Sequence, residues 1–243
     1  MWNKSHQEKL DHIHYKKGIK VRKYIIDAKN MEEKELNRSI KEHALNYDKL
    51  IIKNPQSSHN IAAGLTESVE IEIDGSAGYF VGTMIDGPKI HVKQNAGWFA
   101  GDNMTCGELI IEGGTGDGAG QGIYGGTVVV KGDTGSRTGE IMKGGTVIIG
   151  GNSGYMTGLL MMGGRLIVLG NVTDDAGESI MRGTIYVLGE VKSLGKHAQM
   201  EQTTLEDQKE LKRILTKYGF EITDVDYTNF KKITNNSKQE FMW

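Results

Sequence analysis

A nineteen-residue period runs through the chain from Val69 to Gly189 and constrains its fold more than any other feature. When the sequence is written in lines of nineteen, glycine falls under glycine in the recurring unit G-x-x-G-x-x-x-G, which a short apolar run follows. No residue is inserted or deleted over this span. A fixed period of this kind indicates a stack of similar structural units, which we call coils.

Two glycine columns are predicted to form corners of each coil. At a corner the backbone needs either a positive φ or a close approach to the neighbouring coil, and glycine permits both. The column without interruption consists of Gly82, Gly101, Gly120, Gly139, Gly158 and Gly177. The second column consists of Gly78, Gly97, Gly116, Gly135 and Gly154, and Thr173 ends it.

Three apolar columns are predicted to fill the interior. Two of them lie two residues apart, and such side chains point to the same face of a strand. They are Ile71, Ile90, Leu109, Val128, Val147, Leu166 and Ile185, and Ile73, Val92, Ile111, Val130, Ile149, Val168 and Val187. The third is Ile85, Met104, Ile123, Met142, Met161 and Ile180. Coils that pair in parallel at about 4.8 Å would stack like residues on like residues.

These columns predict an all-β core, built as a single-stranded parallel β-helix of about seven nineteen-residue coils. Right-handed crossovers dominate parallel sheets, so we expect a right-handed helix. A small α/β leader is predicted before the β-helix, and a helix is predicted after it.

The column between the two inward columns is predicted to point outward, yet its centre is apolar. It reads Glu72, His91, Ile110, Val129, Ile148, Ile167 and Tyr186. A solvated face would not have that composition. We therefore expect this wall to be covered, either by the terminal segments or by another subunit. The candidate partner face is Ile110, Val129, Ile148, Ile167 and Tyr186.

The flanks divide the chain into further segments. Residues 1–17 are predicted to be a flexible arm, 18–62 a strand–helix–strand leader, 63–198 the β-helix, and 199–243 a helix with an extended tail. Asn30 with Glu33, and Thr203 with Glu206, have capping-box spacing and mark the two predicted helix starts. The apolar stripe of the leader helix is Leu36, Ile40, Ala44 and Leu45, and that of the C-terminal helix is Leu211, Ile214, Leu215 and Tyr218. Candidate anchors in the tail are Tyr227, Phe230, Phe241 and Trp243.

Composition excludes several classes of function. The net charge is −2, so electrostatics give no case for nucleic acid or an anionic membrane as partner. Cys106 is the single cysteine, which excludes a disulfide framework and a cysteine-ligated cluster within this chain. No signal sequence or membrane span is evident, and we expect a cytoplasmic location. His6, His12 and His14 have no acidic or cysteine partner at metal-ligand spacing.

Motifs that look catalytic are explained by the repeat. The run from Gly120 to Gly125 spells G-x-G-x-x-G, but a strand and not a helix is predicted to follow it. No serine has the surroundings of a nucleophile elbow. Cys106 lies in a corner column that is otherwise mostly glycine. The remaining candidates are carboxylates without a histidine or lysine in their columns: Asp133, Glu140, Asp174, Asp175 and Glu178. We predict no catalytic, cofactor-binding or metal-binding residue in this chain.

The coil from Gly132 to Gly139 resembles those of the GXGXG domain family, the right-handed β-helix that ends the large subunit of glutamate synthase. Residues 35–40 (ELNRSI) and 189–195 (GEVKSLG) resemble the flanks of its free-standing version, the archaeal-type third domain encoded as a separate protein. Related branches are an N-methylglutamate synthase subunit and the GXGXG subunit of formylmethanofuran dehydrogenase. The latter usually carries an irregular insertion among its coils, which the unbroken register here lacks.

The resemblance implies a non-catalytic structural subunit of a glutamate synthase-type complex in glutamate biosynthesis. Its partners would be an FMN-binding synthase subunit and a glutamine amidotransferase subunit, with FMN and iron–sulfur clusters in those partners and no cofactor in this chain. A homo-oligomer is also possible. The alternative is a component like the GXGXG subunit of formylmethanofuran dehydrogenase, or of another GXGXG-containing oxidoreductase complex.

Overall fold

The computed structural model describes residues 12–16, 19–220 and 226–236. Along the chain the elements are β1 (His12–Lys16), β2 (Ile19–Asp27), α1 (Glu33–Ala44), β3 (Lys49–Lys53), β4 (Glu70–Asp74), β5 (Asp86–Val92), β6 (Cys106–Ile111), β7 (Thr127–Val130), β8 (Thr146–Ile149), β9 (Met162–Val168), β10 (Arg182–Val187), β11 (Ala198–Gln202), α2 (Leu205–Lys217), a 3₁₀ turn (Tyr227–Asn229) and β12 (Lys231–Asn235). The strands form one sheet in the order β1 to β10, then β12, then β11.

Parallel pairing from β4 to β10 follows the nineteen-residue period. The register aligns Ile71 with Ile90, and each later member of that column with the next, as far as Ile185. All members of the three apolar columns are buried. The predicted parallel β-helix of about seven coils is confirmed.

Part of the interior is polar, which the apolar columns did not predict. Thr134, Thr138, Ser153 and Thr157 are buried. Thr134 donates to Ser153 at 3.0 Å, Thr138 donates to Thr134 at 2.9 Å, and the hydroxyls of Ser153 and Thr157 lie 2.8 Å apart. Because these hydroxyls satisfy one another across two coils, their burial avoids the cost of an unpaired polar group.

The leader belongs to the same sheet as the β-helix. β2 pairs in parallel with β3, and β3 pairs in parallel with β4, so Leu50 aligns with Ile71. Leu36, Ile40 and Ala44 of α1 are buried in the same core. The leader is therefore the first part of the stack, with α1 lying between its two strands in sequence.

Three details of the N-terminal prediction are wrong. Residues 12–16 are not a loose arm but form β1, which pairs antiparallel with the edge of β2 and so satisfies its backbone groups. Asn30 does not cap α1; it adopts φ +63° in the preceding turn, and Glu32 holds the cap position. Leu45 is exposed because α1 ends at Ala44. His6 lies outside the described residues.

The C-terminal segment returns to the sheet. β12 pairs antiparallel with both β10 and β11, and so lies between them. The capping box of α2 is formed by Thr204 and Asp207, one residue later than the predicted Thr203 and Glu206. Phe230 is buried, as expected of an anchor, whereas Phe241 and Trp243 lie outside the described residues. Within the described ranges, neither helix is long and apolar enough to cross a membrane.

Candidate interaction surfaces

The apolar outward column is covered by the C-terminal segments of the same chain. Val129, Ile148, Ile167 and Tyr186 form a second buried cluster with Leu211, Ile214, Leu215 and Phe230, and Ile110 packs at its margin. The predicted stripe of α2 therefore meets the predicted stripe of the sheet. The sequence left open whether the terminal segments or another subunit cover this column, and the structure shows that the C-terminal segments do. The prediction that the column from Ile110 to Tyr186 is open to a partner subunit is therefore wrong. The column is covered by α2 of the same chain.

Polar contacts fix the start of α2 on the sheet. The Tyr186 hydroxyl donates to Asp207 Oδ1 at 2.5 Å, and Lys232 Nζ donates to Asp207 Oδ2 at 3.0 Å. Burial by itself would raise the pKa of Asp207, but hydrogen bonds from Tyr186, Thr204 and Lys232 outweigh it and hold the pKa well below its ordinary range. Burial and the bond to Asp207 raise the pKa of Tyr186. These shifts describe a charged anchor rather than an acid–base pair poised near neutral pH.

The end of α2 is held by a second set of contacts. Lys131 Nζ donates to the Tyr218 carbonyl and lies 3.8 Å from the centre of the Phe220 ring. Glu108 Oε1 accepts hydrogen bonds from Lys217 at 2.7 Å and from the Tyr218 hydroxyl at 2.9 Å. Burial lowers the pKa of Lys131. A cation beside the last carbonyl groups of a helix also stabilises the helix through its interaction with the helix dipole.

The part of the sheet that α2 leaves open carries charge in alternating rows. The outward side chains of β3 include Lys49 and Lys53, and those of β4 are Glu70, Glu72 and Asp74. Lys89 points outward from β5, and Lys93 directly follows that strand. Ion pairs join neighbouring rows, as between Lys49 and Glu72 at 2.6 Å. The His91 imidazole also contacts a carboxylate oxygen of Glu112 on the next coil. In a parallel, in-register stack, neighbouring strands with the same charge would repel each other. The alternation of basic and acidic strands avoids this repulsion.

The two glycine columns lie at corners for different reasons. From Gly82 to Gly177, the six glycines of the uninterrupted column have φ between +65° and +75°, and their α-hydrogens face the packed interior. A Cβ on Gly120 would lie 2.5 Å from Val147 Cγ2. The second column does not have positive φ, but a Cβ on Gly97 would lie 2.3 Å from the Tyr79 ring, and one on Gly116 would lie 1.9 Å from the Trp98 ring.

The rings of His59, Tyr79 and Trp98 lie over these glycines, and with the half-buried rings of Phe80 and Phe99 they form an aromatic cluster. We call it the aromatic corner; it consists of His59, Tyr79, Phe80, Trp98 and Phe99. Ring centres lie 4.6 Å apart for His59 and Tyr79, 5.1 Å for Tyr79 and Trp98, and 5.0 Å for Phe80 and Phe99, all stacked. Tyr79 is 40% exposed and Trp98 48%. Neither apolar core includes any of the five side chains.

A family model described as GXGXG motif matches residues 22–241, nearly the whole chain. The chain belongs to the GXGXG motif family. The predicted relationship to the GXGXG domain family is thereby confirmed. None of the curated proteins compared with it matches.

A solved structure shares the fold of this GXGXG chain. It belongs to the formyltransferase/hydrolase complex (FhcABCD) of Methylorubrum extorquens, a crystal structure in complex with methylofuran. The TM-score is 0.63 and the sequence identity 23%, over 79% of this chain and 83% of that one. At this identity the likeness shows the fold alone.

The catalytic-looking residues of this GXGXG chain have structural contacts. Asp133 Oδ1 accepts the Asn152 backbone N–H at 2.6 Å, and Asp174 pairs with Lys192 at 2.8 Å. Glu178 accepts the Lys196 backbone N–H, also at 2.6 Å. Cys106 is exposed. In the part of the chain that the structure describes, no group of three histidine, cysteine or acidic side chains could hold a metal ion.

One side-chain ladder was missed in the sequence. Asn95, Asp133, Asn152 and Asn171 occupy a single column. Each side-chain oxygen accepts the backbone N–H of the same position on the next coil, at distances of 2.6–2.9 Å. The nineteen-residue alignment of Asn and Asp, the residues that most readily bond nearby backbone, was the available signal.

Proposed function

We propose that this chain is a non-catalytic scaffold subunit of a multi-subunit enzyme complex that handles formyl groups, of the formylmethanofuran dehydrogenase or formyltransferase/hydrolase kind. The observation that supports it most is the shared fold, over 79% of this chain, with a chain found in a formyltransferase/hydrolase complex. Because a chain of the same fold is part of such a complex, we infer that this chain is also a subunit of a complex of that kind.

The structure is consistent with a scaffold. Several of its carboxylates hold coils and α2 together, as Asp133 and Asp207 illustrate. A stack of coils also offers long, rigid side walls, on which separate partners can bind without contacting each other. The chemistry would then belong to the partner subunits.

A second candidate is a glutamate synthase-type complex, with this chain between an FMN-binding synthase subunit and a glutamine amidotransferase subunit. The observation in its favour is the unbroken register from Ile71 to Ile185. The GXGXG subunit of formylmethanofuran dehydrogenase usually interrupts its coils with an insertion, and this chain does not.

Purification of the tagged chain from its native source separates the two candidates. The first predicts co-purified subunits at a fixed ratio, with formyl transfer or hydrolysis by the assembly, and bound molybdenum or tungsten if it is the dehydrogenase. The second predicts flavin absorbance, iron and glutaminase activity. Recovery of the chain alone, from material in which other complexes stay intact, would contradict both.

A further inference from the structure

The aromatic corner is an apolar surface that folding does not explain. Tyr79 and Trp98 keep nearly half of their surfaces in water, and Met84 of the same coil is 61% exposed. Exposed clusters of Trp, Tyr, Phe and Met are typical of the centres of protein interfaces, where tryptophan and tyrosine contribute most of the binding energy. Stacking between coils accounts for the contacts among the rings, but it leaves a large part of Tyr79 and Trp98 in water.

The corner is also held rigid before any partner binds. The Trp98 ring is stacked between Tyr79 and the backbone of Gly116, and the Tyr79 ring lies between His59 and Trp98. The Tyr79 backbone N–H donates to His59 Nδ1 at 2.8 Å. Side chains fixed in this way lose little conformational entropy on binding, which favours affinity.

Charge around the corner limits what can bind there. Between residues 54 and 126 the only lysines or arginines are Lys89 and Lys93, and both lie on the outer face of the sheet. Carboxylates lie beside the rings instead: Glu33 Oε1 accepts the His59 backbone N–H at 3.3 Å, and Asp117 follows Gly116, on which the Trp98 ring is stacked. Asp86 is exposed and lies two residues from the exposed Met84. A matching surface would therefore carry positive charge beside an apolar side chain.

We propose that the aromatic corner is the docking site of a partner subunit, through a segment that presents an apolar anchor flanked by arginine or lysine. The inference rests on the proposed function, because it supposes a complex, and it adds the site and the chemistry of the contact. A second copy of this chain is a poorer match, since two such corners would place carboxylates opposite carboxylates.

Tyr155 provides a matched control. It occupies the same column of the repeat as Tyr79 and Trp98 and is 44% exposed, but it lies three coils beyond Trp98. Hydroxyl-radical footprinting of the native complex and of the isolated chain compares these residues without any substitution. We expect Trp98, Tyr79 and Met84 to be oxidised several-fold more slowly in the complex, relative to Tyr155.

Two variants test the energetics against the same control. With the separated partner subunits as the probe, Trp98→Ala should weaken binding by about 30-fold, the effect of removing one interface hot spot. Asp86→Lys should also weaken binding, and by a larger factor at low salt than at high salt. The new lysine would repel the arginine or lysine of the partner segment, and salt screens that repulsion. Tyr155→Ala should leave the affinity unchanged.

The outcomes distinguish this inference from the proposed function. An intact complex in which Trp98 and Tyr79 stay as reactive as in the isolated chain would overturn the docking site and leave the scaffold role standing. If Trp98 and Tyr79 were protected only in a homodimer, the docking of a partner subunit would be overturned, and the occupant of the corner would be a second copy of this chain. Absence of any co-purifying subunit would overturn both proposals.

Discussion

Positive φ alone does not require glycine in this fold. Phe80, Phe99 and Met84 adopt φ of 60°, 59° and 54°, and the equivalent positions in later coils hold non-glycine residues except at Gly118 and Gly122. Their backbone N–H groups donate to the next coil, whereas that of Gly82 donates to the preceding one. This alternation imposes the unusual φ. Glycine is retained where a Cβ would also enter the packed interior or a neighbouring ring.

The difference between conformational and steric demand can be measured with two substitutions. Gly64 has φ +63° and open space where a Cβ would lie, whereas a Cβ on Gly120, at φ +66°, would meet Val147 at 2.5 Å. We expect Gly64→Ala to lower the free energy of unfolding by about 1–2 kcal/mol, from φ alone. Gly120→Ala should cost about 1–3 kcal/mol more, through overpacking. Equal losses in chemical denaturation would show that the clash is relaxed and that φ alone selects glycine.

At the residue scale the sequence predicted the buried columns and both glycine columns, because those positions tolerate few residue types. It did not predict the buried hydroxyls of Thr134, Thr138, Ser153 and Thr157. Each of these residues is ordinary on a surface turn, and only contacts between coils make its burial favourable. The aromatic corner was missed although Tyr79 and Trp98 share a column, because that column continues with Asp117 and Ser136 and so shows no single residue type.

At the element scale, the periodicity of the sequence predicted the apolar stripes but not which stripe packs on which. The apolar stripe of α2 and the apolar centre of the sheet were both predictable from their periods. That each covers the other was left open, because an apolar stripe does not specify its partner. The specific contacts are long-range: Lys131 and Tyr218 are 87 residues apart, and Glu108 and Tyr218 are 110 apart.

The anchor at the start of α2 should respond to acid. Because the folded protein lowers the pKa of Asp207, this carboxylate stabilises the fold above its ordinary pKa of about 3.9. That contribution is lost as pH falls from about 4 towards the lower folded pKa. Asp207→Asn should therefore be less stable than the parent at pH 7, by about 1–3 kcal/mol.

Denaturation of both proteins from pH 7 to pH 3 checks this assignment. The stability difference between parent and Asp207→Asn should be constant near neutral pH and should narrow below about pH 4, as the parent loses its charge–hydrogen-bond network. Glu206→Gln is the matched control in the same helical turn, since Glu206 is exposed. A difference that stays constant down to pH 3 would show that Asp207 acts through packing rather than through its charge.

At the scale of the whole molecule, one sheet runs from β1 to β11 and joins the leader to the β-helix. The sequence divided these parts at residue 62 because the nineteen-residue period begins only after it. The spacings that pair β2 with β3 and β3 with β4 are 26 and 21 residues, which no fixed period reveals. Both ends of the stack carry antiparallel strands, β1 and β12, in place of another coil.

We propose that this GXGXG chain holds catalytic subunits together and performs no chemistry itself. Native mass spectrometry of the complex, purified with and without this chain, tests this role. We predict one assembly that contains the chain and at least two different catalytic subunits, and dissociation of those subunits from each other when the chain is absent. A catalytic assembly that keeps its remaining subunits together and its full activity without this chain would contradict the account.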